Sequence, residues 1–148
     1  AIYFGAVKCD LPINTGSHTY VLRSALSALD AWVRTGTAPR SMPMLEANED
    51  ALTYQRDTNG NAKGGIRTPQ VDVPIATLSG QGQSGQSFCG LFGTTTVFTK
   101  KELKALYATK AAFTKKWIAA TNAAVATGAI LEVDAVQIRR VAQAYPGR

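Results

Sequence analysis

Residues 19–35 read TYVLRSALSALDAWVRT, and this stretch decides the fold class. Its apolar residues recur at the i, i+3, i+4, i+7 spacing of a helix, so one face carries Leu22, Ala25, Leu26, Leu29, Trp32 and Val33. Gly36 stands where a helix C-cap is expected, and Pro39 prevents continuation. The pattern predicts a long amphipathic helix with a buried face, above all at Leu22, Leu26, Leu29 and Trp32.

The last third of the chain, residues 99–145, has helical periodicity as well. Thr99 and Glu102 have the spacing of a capping box, which predicts a helix start. The predicted stripe that follows holds Leu103, Leu106, Phe113 and Trp117. Lys110 falls in the same stripe, so it snorkels, meets a carboxylate, or marks a break in the helix near Thr109.

Gly128 is predicted to end this helical stretch, and a final helix is expected after it. Asp134 and Gln137 have the spacing of a second capping box. The predicted buried face of this last helix carries Ile138, Val141, Ala142 and Tyr145.

The middle of the chain, residues 37–98, holds most of the proline and glycine, so long helices are not expected there. Leu52–Gln55 is a candidate short strand. Asn59-Gly60 predicts a type I′ turn. Val71–Leu78 alternates in polarity but contains Pro74, which predicts an edge strand or an extended segment. Residues 79–95, rich in Gly, Gln and Ser, predict a mobile loop.

These elements predict an α+β fold that is mainly helical, with short strands in a loop-rich middle. The 148 residues suit a single unit: a lead-in and helix at 1–36, a covering segment at 37–98, and terminal helices at 99–148. The candidate strands are too few and too short to build a parallel sheet. The helical faces are therefore expected to pack on each other or on a sheet supplied from elsewhere.

Composition excludes several classes of protein. No apolar run approaches the roughly 20 residues of a membrane span, and the N-terminal residues do not form a signal peptide. The net charge of +6 comes from scattered lysines and arginines without interleaved aromatics, which favours a solvated helix face over nucleic-acid binding. Because the chain does not begin with Met, a processed chain or a fragment is expected.

Three motif-like stretches do not carry the chemistry they suggest. Gly80–Gly85 (GQGQSG) matches the dinucleotide fingerprint, but no helix is predicted to begin at its last glycine, where the fingerprint requires one. Gly82–Gln86 (GQSGQ) is similar to a nucleophile elbow, but its second glycine is one place early, and no Gly-x-Ser-x-Gly occurs in the chain. Asp57–Asn61 lacks the glycine position and the Glu of a calcium loop, since residue 68 is Thr. No cofactor and no metal is expected.

His18 is the only histidine, which excludes a site with several histidine ligands within this chain. It follows a loop and opens the first predicted helix, a position where the histidine of a catalytic triad can lie. The alternative is an ordinary residue at a helix N-terminus near polar loop groups. His18 is therefore the catalytic candidate of the sequence, and it is a weak one.

Cys9 and Cys89 are the two cysteines. A bridge between them would close a loop of about 80 residues, worth about 4 kcal/mol in the chain-entropy model. Two buried free thiols are the alternative. We expect the two residues to lie close together, with a disulfide favoured, and a bridge would favour a secreted or periplasmic location.

Four stretches together resemble the C-terminal segment of an uncharacterised α/β-hydrolase-domain family. They are Asn14–Val21 (NTGSHTYV), Ala28–Pro39 (ALDAWVRTGTAP), Asp57–Pro74 with GNAKGGIRTP and VDVP, and Cys89–Gly93 (CGLFG). The GNAKGGIRTP block is the most specific of them. The resemblance covers nearly the whole chain.

The resemblance implies the C-terminal portion of an ester or amide hydrolase, which contributes scaffold and active-site cover while the nucleophile lies in an earlier region. Members of that family carry the triad histidine just before the position that is residue 1 here, which weakens His18 as the base. The expected partner is the N-terminal part of the same precursor or another chain, and the chain alone should not hydrolyse esters. The alternative is a stand-alone, non-catalytic binding or structural module.

Overall fold

The structure, a computed structural model, describes residues 3–4, 7–49, 53–86 and 88–144. The strands are β1 (Tyr3–Phe4), β2 (Val7–Lys8), β3 (Ala76–Ser79) and β4 (Thr94–Val97), which pair antiparallel as β1 with β2 and β3 with β4. The helices are α1 (His18–Thr35), α2 (Pro69–Asp72), α3 (Lys100–Leu106), α4 (Lys110–Ala126) and α5 (Glu132–Val141), with 3-10 turns at Cys89–Leu91 and Ala142–Ala144. The predicted fold class, mainly helical α+β with short strands in the middle, is confirmed. Within the described residues, no helix has the length and apolar character needed to cross a bilayer.

The hydrophobic core lies among the three C-terminal helices and the chain just after α2. Trp117 and Phe113 of α4 are each 1% exposed, and the Phe113 ring lies between Trp117 and Tyr107, with centroids 5.5 and 5.1 Å away. The polar atoms of this cluster are paired, since Trp117 Nε1 donates to the Ile138 carbonyl at 2.7 Å and the Tyr107 hydroxyl to the Pro74 carbonyl at 2.9 Å. These bonds let bulky aromatic residues be buried without an unpaired donor.

The boundary between α3 and α4 settles the position of Lys110. The capping box of α3 is formed as predicted, because Thr99 Oγ1 accepts from the Glu102 backbone N–H while the Glu102 carboxylate accepts from the Thr99 N–H. The helical stretch then breaks after Leu106 and restarts with Thr109 as the N-cap of α4. Lys110 therefore begins a new helix, and its Nζ donates to the Gln143 carbonyl at 2.7 Å.

Gly128 ends the next stretch as predicted, with φ +78° just after the C-cap of α4. The second capping box is wrong. Helix α5 begins two residues before Asp134, at Glu132, and its N-cap Leu131 makes no side-chain cap. Asp134 is instead buried in the first turn of α5, where it pairs with Arg23 of α1 at 2.8 Å. Tyr145 lies outside the described residues.

Helix α1 follows its predicted bounds closely, and Gly36 closes it with φ +73° and an N–H donated to the Trp32 carbonyl. The predicted burial of its apolar face is wrong within this chain. Leu22, Leu26, Leu29 and Trp32 are 56, 56, 50 and 44% exposed. The side of α1 that packs on the chain instead carries Tyr20, Ser24 and Ala28: Tyr20 packs against the core cluster, and Ser24 is buried with its hydroxyl donating to the Gly128 carbonyl at 2.6 Å.

The loop-rich middle is held by buried polar side chains. The turn at Asp57–Gly60 differs from the predicted type I′ turn, because the Gly60 N–H donates to the Asp57 carbonyl and places Thr58 and Asn59 at the central positions. Gly60 follows them with φ +78°. Asn61, 1% exposed, then joins this turn to β3: it donates to the Ala76 carbonyl and accepts from the Leu78 N–H.

The segment 71–78 is not one extended strand. Its first residues complete α2, with Pro69 at the helix start and Val73 as C-cap, and only Ala76–Ser79 form a strand. Proline suits the first position of a helix because the missing N–H would have no helical partner there. The candidate strand at 52–55 is reduced to a single bridge between Tyr54 and Ala47, and Leu52 lies outside the described residues.

The GNAKGGIRTP block has a local structural explanation. Gly64 and Gly65 have φ of +66° and +65°, and a Cβ on Gly64 would lie 2.6 Å from the Met44 carbonyl oxygen. Two other residues hold the chain that follows. Arg67 donates from Nε to Asp72 Oδ1 at 2.7 Å and from Nη1 to the Ala62 carbonyl at 3.0 Å. The block therefore packs residues 44–46, the 62–67 segment and α2 against one another.

Candidate functional site

Two segments far apart in sequence lie side by side: residues 8–15, and residues 79–95, which connect β3 to β4. The predicted proximity of Cys9 and Cys89 is confirmed: their Cα atoms are 5.5 Å apart and the sulfur atoms lie at bonding distance, 2.10 Å. Both cysteines are buried, at 2 and 0% exposed. This pair joins the start of the chain to the 3-10 turn at Cys89–Leu91.

The side chain of Gln83 holds the same two segments together. Its Nε2 donates to the carbonyls of Leu11 and Gly93 at 3.0 and 2.9 Å, and its Oε1 accepts from the Leu11 N–H at 3.0 Å. Thr95 bonds the lead-in in the same way, a few residues further along the chain. Its Oγ1 donates to the Ile13 carbonyl at 2.7 Å and accepts from the Thr15 N–H at 2.9 Å. The predicted loop at 79–95 contains no regular helix or strand between Gly80 and Ser84, and side-chain amides and hydroxyls bond its backbone to the lead-in.

The GQGQSG stretch has no phosphate-binding geometry. Residues 82–84 belong to no helix or strand, Gly85 pairs with Cys9 in an antiparallel bridge, and the next helical element is the short 3-10 turn at Cys89–Leu91. A dinucleotide loop needs a helix whose N-terminus faces the pyrophosphate. The glycine at 85 serves close packing instead, since a Cβ there would lie 2.9 Å from the Lys8 carbonyl oxygen.

His18 lies at the first position of α1, on the surface. Its Nε2 is 3.3 Å from Thr19 Oγ1, and no described carboxylate forms an ion pair with the imidazole. A triad histidine is held by an acid on one ring nitrogen and faces a nucleophile with the other. His18 has neither partner among the described residues.

His18 borders a pocket of about 340 Å³ between the lead-in and the 79–95 segment. Three apolar side chains, Ile13, Leu91 and Phe92, line it beside Asn14 and two glycines. Both polar groups of the Asn14 side chain are already hydrogen-bonded within the chain: its Nδ2 donates to the Ser79 carbonyl and its Oδ1 accepts from the Gly16 N–H. The structure thus joins His18 to the segment that follows Cys89, but it supplies no polar partner that would make this pocket an active site.

The one serine hydroxyl of interest in this region is paired with an acid. Ser84 Oγ donates to Asp10 Oδ2 at 2.9 Å, and both residues are exposed. A nucleophilic serine requires a base that accepts its proton in the reaction, which in the serine-hydrolase triad is a histidine, and no histidine contacts Ser84. Across the ranges that the structure describes, no cluster of three or more His, Cys, Asp or Glu side chains could hold a metal ion.

Two carboxyl groups have shifted pKa values, and both are structural. The pKa of Glu102 is lowered mainly by the hydrogen bond from the Thr99 side chain, then by that from the Thr99 backbone. The pKa of Glu132 is lowered mainly by its hydrogen bond from Arg139, at 2.6 Å. Both groups lie in the first turn of a helix on the surface, where the positive end of the helix dipole stabilises a carboxylate. Neither adjoins the His18 pocket.

Sequence reasoning missed the residues that organise this region. Gln83, Asn61 and Thr95 were not singled out, because Gln, Asn and Thr in a polar loop give no periodic signal. The Arg23–Asp134 pair was missed for another reason, since its partners lie in separate helices. The Gly-rich composition could have indicated close backbone approach, which is what Gly85 and Gly93 provide.

Residues 3–140 match the protein family described as an alpha/beta hydrolase domain. Among curated proteins and among solved structures, nothing matches the chain. The matched range contains the four strands, the helices α1 to α4 and all of α5 except its last residue.

Proposed function

Because the chain belongs to the α/β-hydrolase-domain family, we propose that it is the C-terminal portion of an ester or amide hydrolase. In this proposal residues 1–148 form one unit that supplies scaffold and active-site cover, and the nucleophile comes from an earlier region. Within the described residues the strands form two separate antiparallel pairs, so a parallel hydrolase sheet must come from outside them.

The observation that carries the proposal is the arrangement of the three stripes of α1. Tyr20, Ser24 and Ala28 lie on the stripe that packs on the chain, and an Asp30–Arg34 ion pair lies on a solvated stripe. The third stripe is exposed although it is the most apolar, with Leu22, Leu26, Leu29, Trp32 and Val33. A contiguous apolar patch of this kind on a soluble protein marks an interaction surface.

We propose that the exposed apolar face of α1 packs against the parallel sheet of the hydrolase. In α/β proteins, helices cover both faces of a mostly parallel sheet and bury an apolar stripe against it. That sheet belongs either to the N-terminal part of the same precursor or to another chain. If processing separates the two parts, the product is a hetero-oligomer with an obligate interface of roughly 2,000 Å² or more.

The matched test uses two neighbouring residues of α1. Leu26→Glu places a charge on the apolar stripe, and Ser27→Glu places the same charge on the exposed residue beside it. We expect Leu26→Glu to disrupt association with the hydrolase part and to abolish ester hydrolysis by the natural protein. Ser27→Glu should leave both unchanged. Equal effects of the two variants would contradict a docking role for this face.

A second test concerns the chain alone and His18. The isolated polypeptide should not turn over p-nitrophenyl esters, because no nucleophile–base pair is present among its described residues. In the complete protein, His18→Ala should keep activity close to that of the wild type, whereas loss of a catalytic base lowers the rate by about 10³-fold or more. Ester hydrolysis by the isolated chain that His18→Ala abolishes would overturn both statements.

The alternative function is a stand-alone binding or structural module, and one observation favours it. The α3–α5 core is closed around Phe113 and Trp117 without help from another polypeptide. Such a core, together with a disulfide between Cys9 and Cys89, is enough to stabilise an independent module. The staple also supports a secreted or periplasmic location, because disulfides persist in oxidising compartments.

A further inference from the structure

The pocket of about 340 Å³ beside His18 lies at one end of the exposed apolar face of α1. His18 is the first residue of α1, and Leu22, Leu26 and Leu29 follow it at the i+4, i+8 and i+11 positions. Residues with this spacing share one face of a helix, so His18 extends the apolar face to the helix N-terminus. The pocket therefore adjoins the face that, in the proposed function, packs against the hydrolase sheet.

The direction of α1 indicates which edge of that sheet adjoins the pocket. A helix that covers a parallel sheet connects the end of one strand to the start of the next, so it runs antiparallel to the strands and begins near their carboxyl ends. Ligands of open α/β proteins bind outside these carboxyl ends. With α1 packed on the sheet, the pocket at its N-terminus lies at the edge where substrate binds.

The walls of the pocket suit an aliphatic group. Ile13, Leu91 and Phe92 line it with apolar side chains, and the polar groups of Asn14 are hydrogen-bonded within the chain. No described Asp, Glu, Lys or Arg side chain lines it. An ionic group would lose part of its hydration there without a counter-charge, whereas an alkyl chain gains by leaving water.

The walls are also held in place by the chain itself. The backbone N–H of Asn14 donates to the Phe92 carbonyl at 3.0 Å, and its Nδ2 donates to the Ser79 carbonyl at 3.0 Å. Gly93 lies so close to Ser79 that a Cβ at this position would overlap the Ser79 carbonyl oxygen. A pocket with preformed walls binds its ligand at a small cost in ordering.

We propose that this pocket binds the aliphatic chain of the ester or amide substrate, on either the acyl or the leaving-group side of the bond that is cleaved. The inference rests on the proposed hydrolase function and names the substrate class. Since a dry cavity of about 150 Å³ holds benzene, the pocket accommodates a chain on the order of eight carbon atoms. Each methylene that leaves water should raise kcat/KM about fourfold.

The test measures kcat/KM of the complete natural protein on two series of substrates. p-Nitrophenyl esters and the matching p-nitroanilides, from acetyl to octanoyl, lengthen the acyl side, and alkyl acetates and N-alkyl acetamides lengthen the leaving-group side. We expect kcat/KM to rise by on the order of 100-fold in one series before it levels off, and that series identifies the side that the pocket binds. Flat profiles on both sides would overturn the inference and leave the proposed function standing. Absence of all ester and amide hydrolysis would overturn both.

A matched pair of variants ties the chain-length preference to this pocket. Leu91→Asp places a carboxylate in the apolar wall, and because Leu91 is 80% exposed the variant should fold. In the series that rises, the ratio of kcat/KM for the longest substrate to that for the shortest should fall about tenfold or more. Phe88→Asp, at an exposed residue of the same segment that does not line the pocket, should leave this ratio unchanged. Equal ratios in the two variants would overturn the inference.

Discussion

At the scale of residues, the loop-rich middle is ordered by a few polar side chains that act as backbone partners. Asn61 bonds β3 at two places, Gln83 bonds both Leu11 and Gly93, and Asp57 Oδ1 accepts from the N–H groups of both Asn59 and Asn61. Such side chains replace the regular ladder of a larger sheet. No sequence pattern predicted them, because their partners are 10 to 72 residues away or are set by turn geometry.

Asn61→Ala should lower the free energy of unfolding by about 2 kcal/mol, because it removes two buried hydrogen bonds and leaves the Leu78 N–H and Ala76 carbonyl unpaired. Asn48→Ala is the control, since its amide bonds Thr53 at the exposed surface. Urea unfolding of the two variants is the measurement. A loss at Asn61 no larger than that at Asn48 would show that the turn does not depend on this side chain.

The capping box of α3 should make stability depend on pH. The lowered pKa of Glu102 means that its carboxylate stabilises the folded state above pH 4.5 and loses this effect as the pH falls through the lowered value. The Tm difference between wild type and Glu102→Ala should therefore be largest near neutral pH and shrink on acidification. Glu49→Ala, at an exposed carboxylate, should show no such trend. A Tm difference for Glu102→Ala that stays constant from pH 7 to pH 2 would contradict the assignment.

At the scale of elements, helical periodicity predicted which residues share a face but not what covers that face. For α4 the predicted stripe at Phe113 and Trp117 is core, because α3, α5 and the residues after α2 pack around it. For α1 the predicted stripe is also apolar but exposed, because the chain packs on the opposite side of the helix, which carries Tyr20, Ser24 and Ala28. The sequence leaves three explanations open for Lys110, and the N-cap at Thr109 selects the break in the helix.

Two tryptophan truncations test this contrast. Trp117→Ala should cost about 3–5 kcal/mol in the 148-residue chain, since it opens a cavity and leaves the Ile138 carbonyl without its donor. Trp32→Ala should cost about 1 kcal/mol or less in the same chain, because its side chain is largely solvated. Thermal unfolding measures both. Similar losses would mean that the face of α1 is covered within the chain itself.

The covalent link between the lead-in and the 79–95 segment is tested by mass. The protein from its source should weigh two hydrogen atoms less without reductant than with it, and Cys9→Ser with Cys89→Ser should lower stability by about 4 kcal/mol. The staple spans 80 positions, so most of the middle segment lies inside the loop it closes. Equal masses with and without reductant would show two free thiols.

At the scale of the whole molecule, the helices and the family could be predicted, whereas the site could not. The resemblance at GNAKGGIRTP and the helix at 19–35 indicated an α/β-hydrolase-domain protein, and the family match over 3–140 confirms it. His18 remains an untested candidate, because a catalytic role is a relation among several side chains, and the described residues supply no partner for it. The exposed apolar face of α1 likewise requires a partner that the described residues do not supply.

The most direct test of the central claim, that α1 is covered by a hydrolase sheet from outside this chain, is the native mass and composition of the protein isolated from its source. We predict a particle clearly larger than 15.7 kDa, in which α1 is protected from hydrogen exchange along Leu22, Leu26 and Leu29. Leu26→Glu should remove that protection. A compact 15.7 kDa monomer, with α1 exchanging as an exposed helix, would contradict the account and favour the stand-alone module.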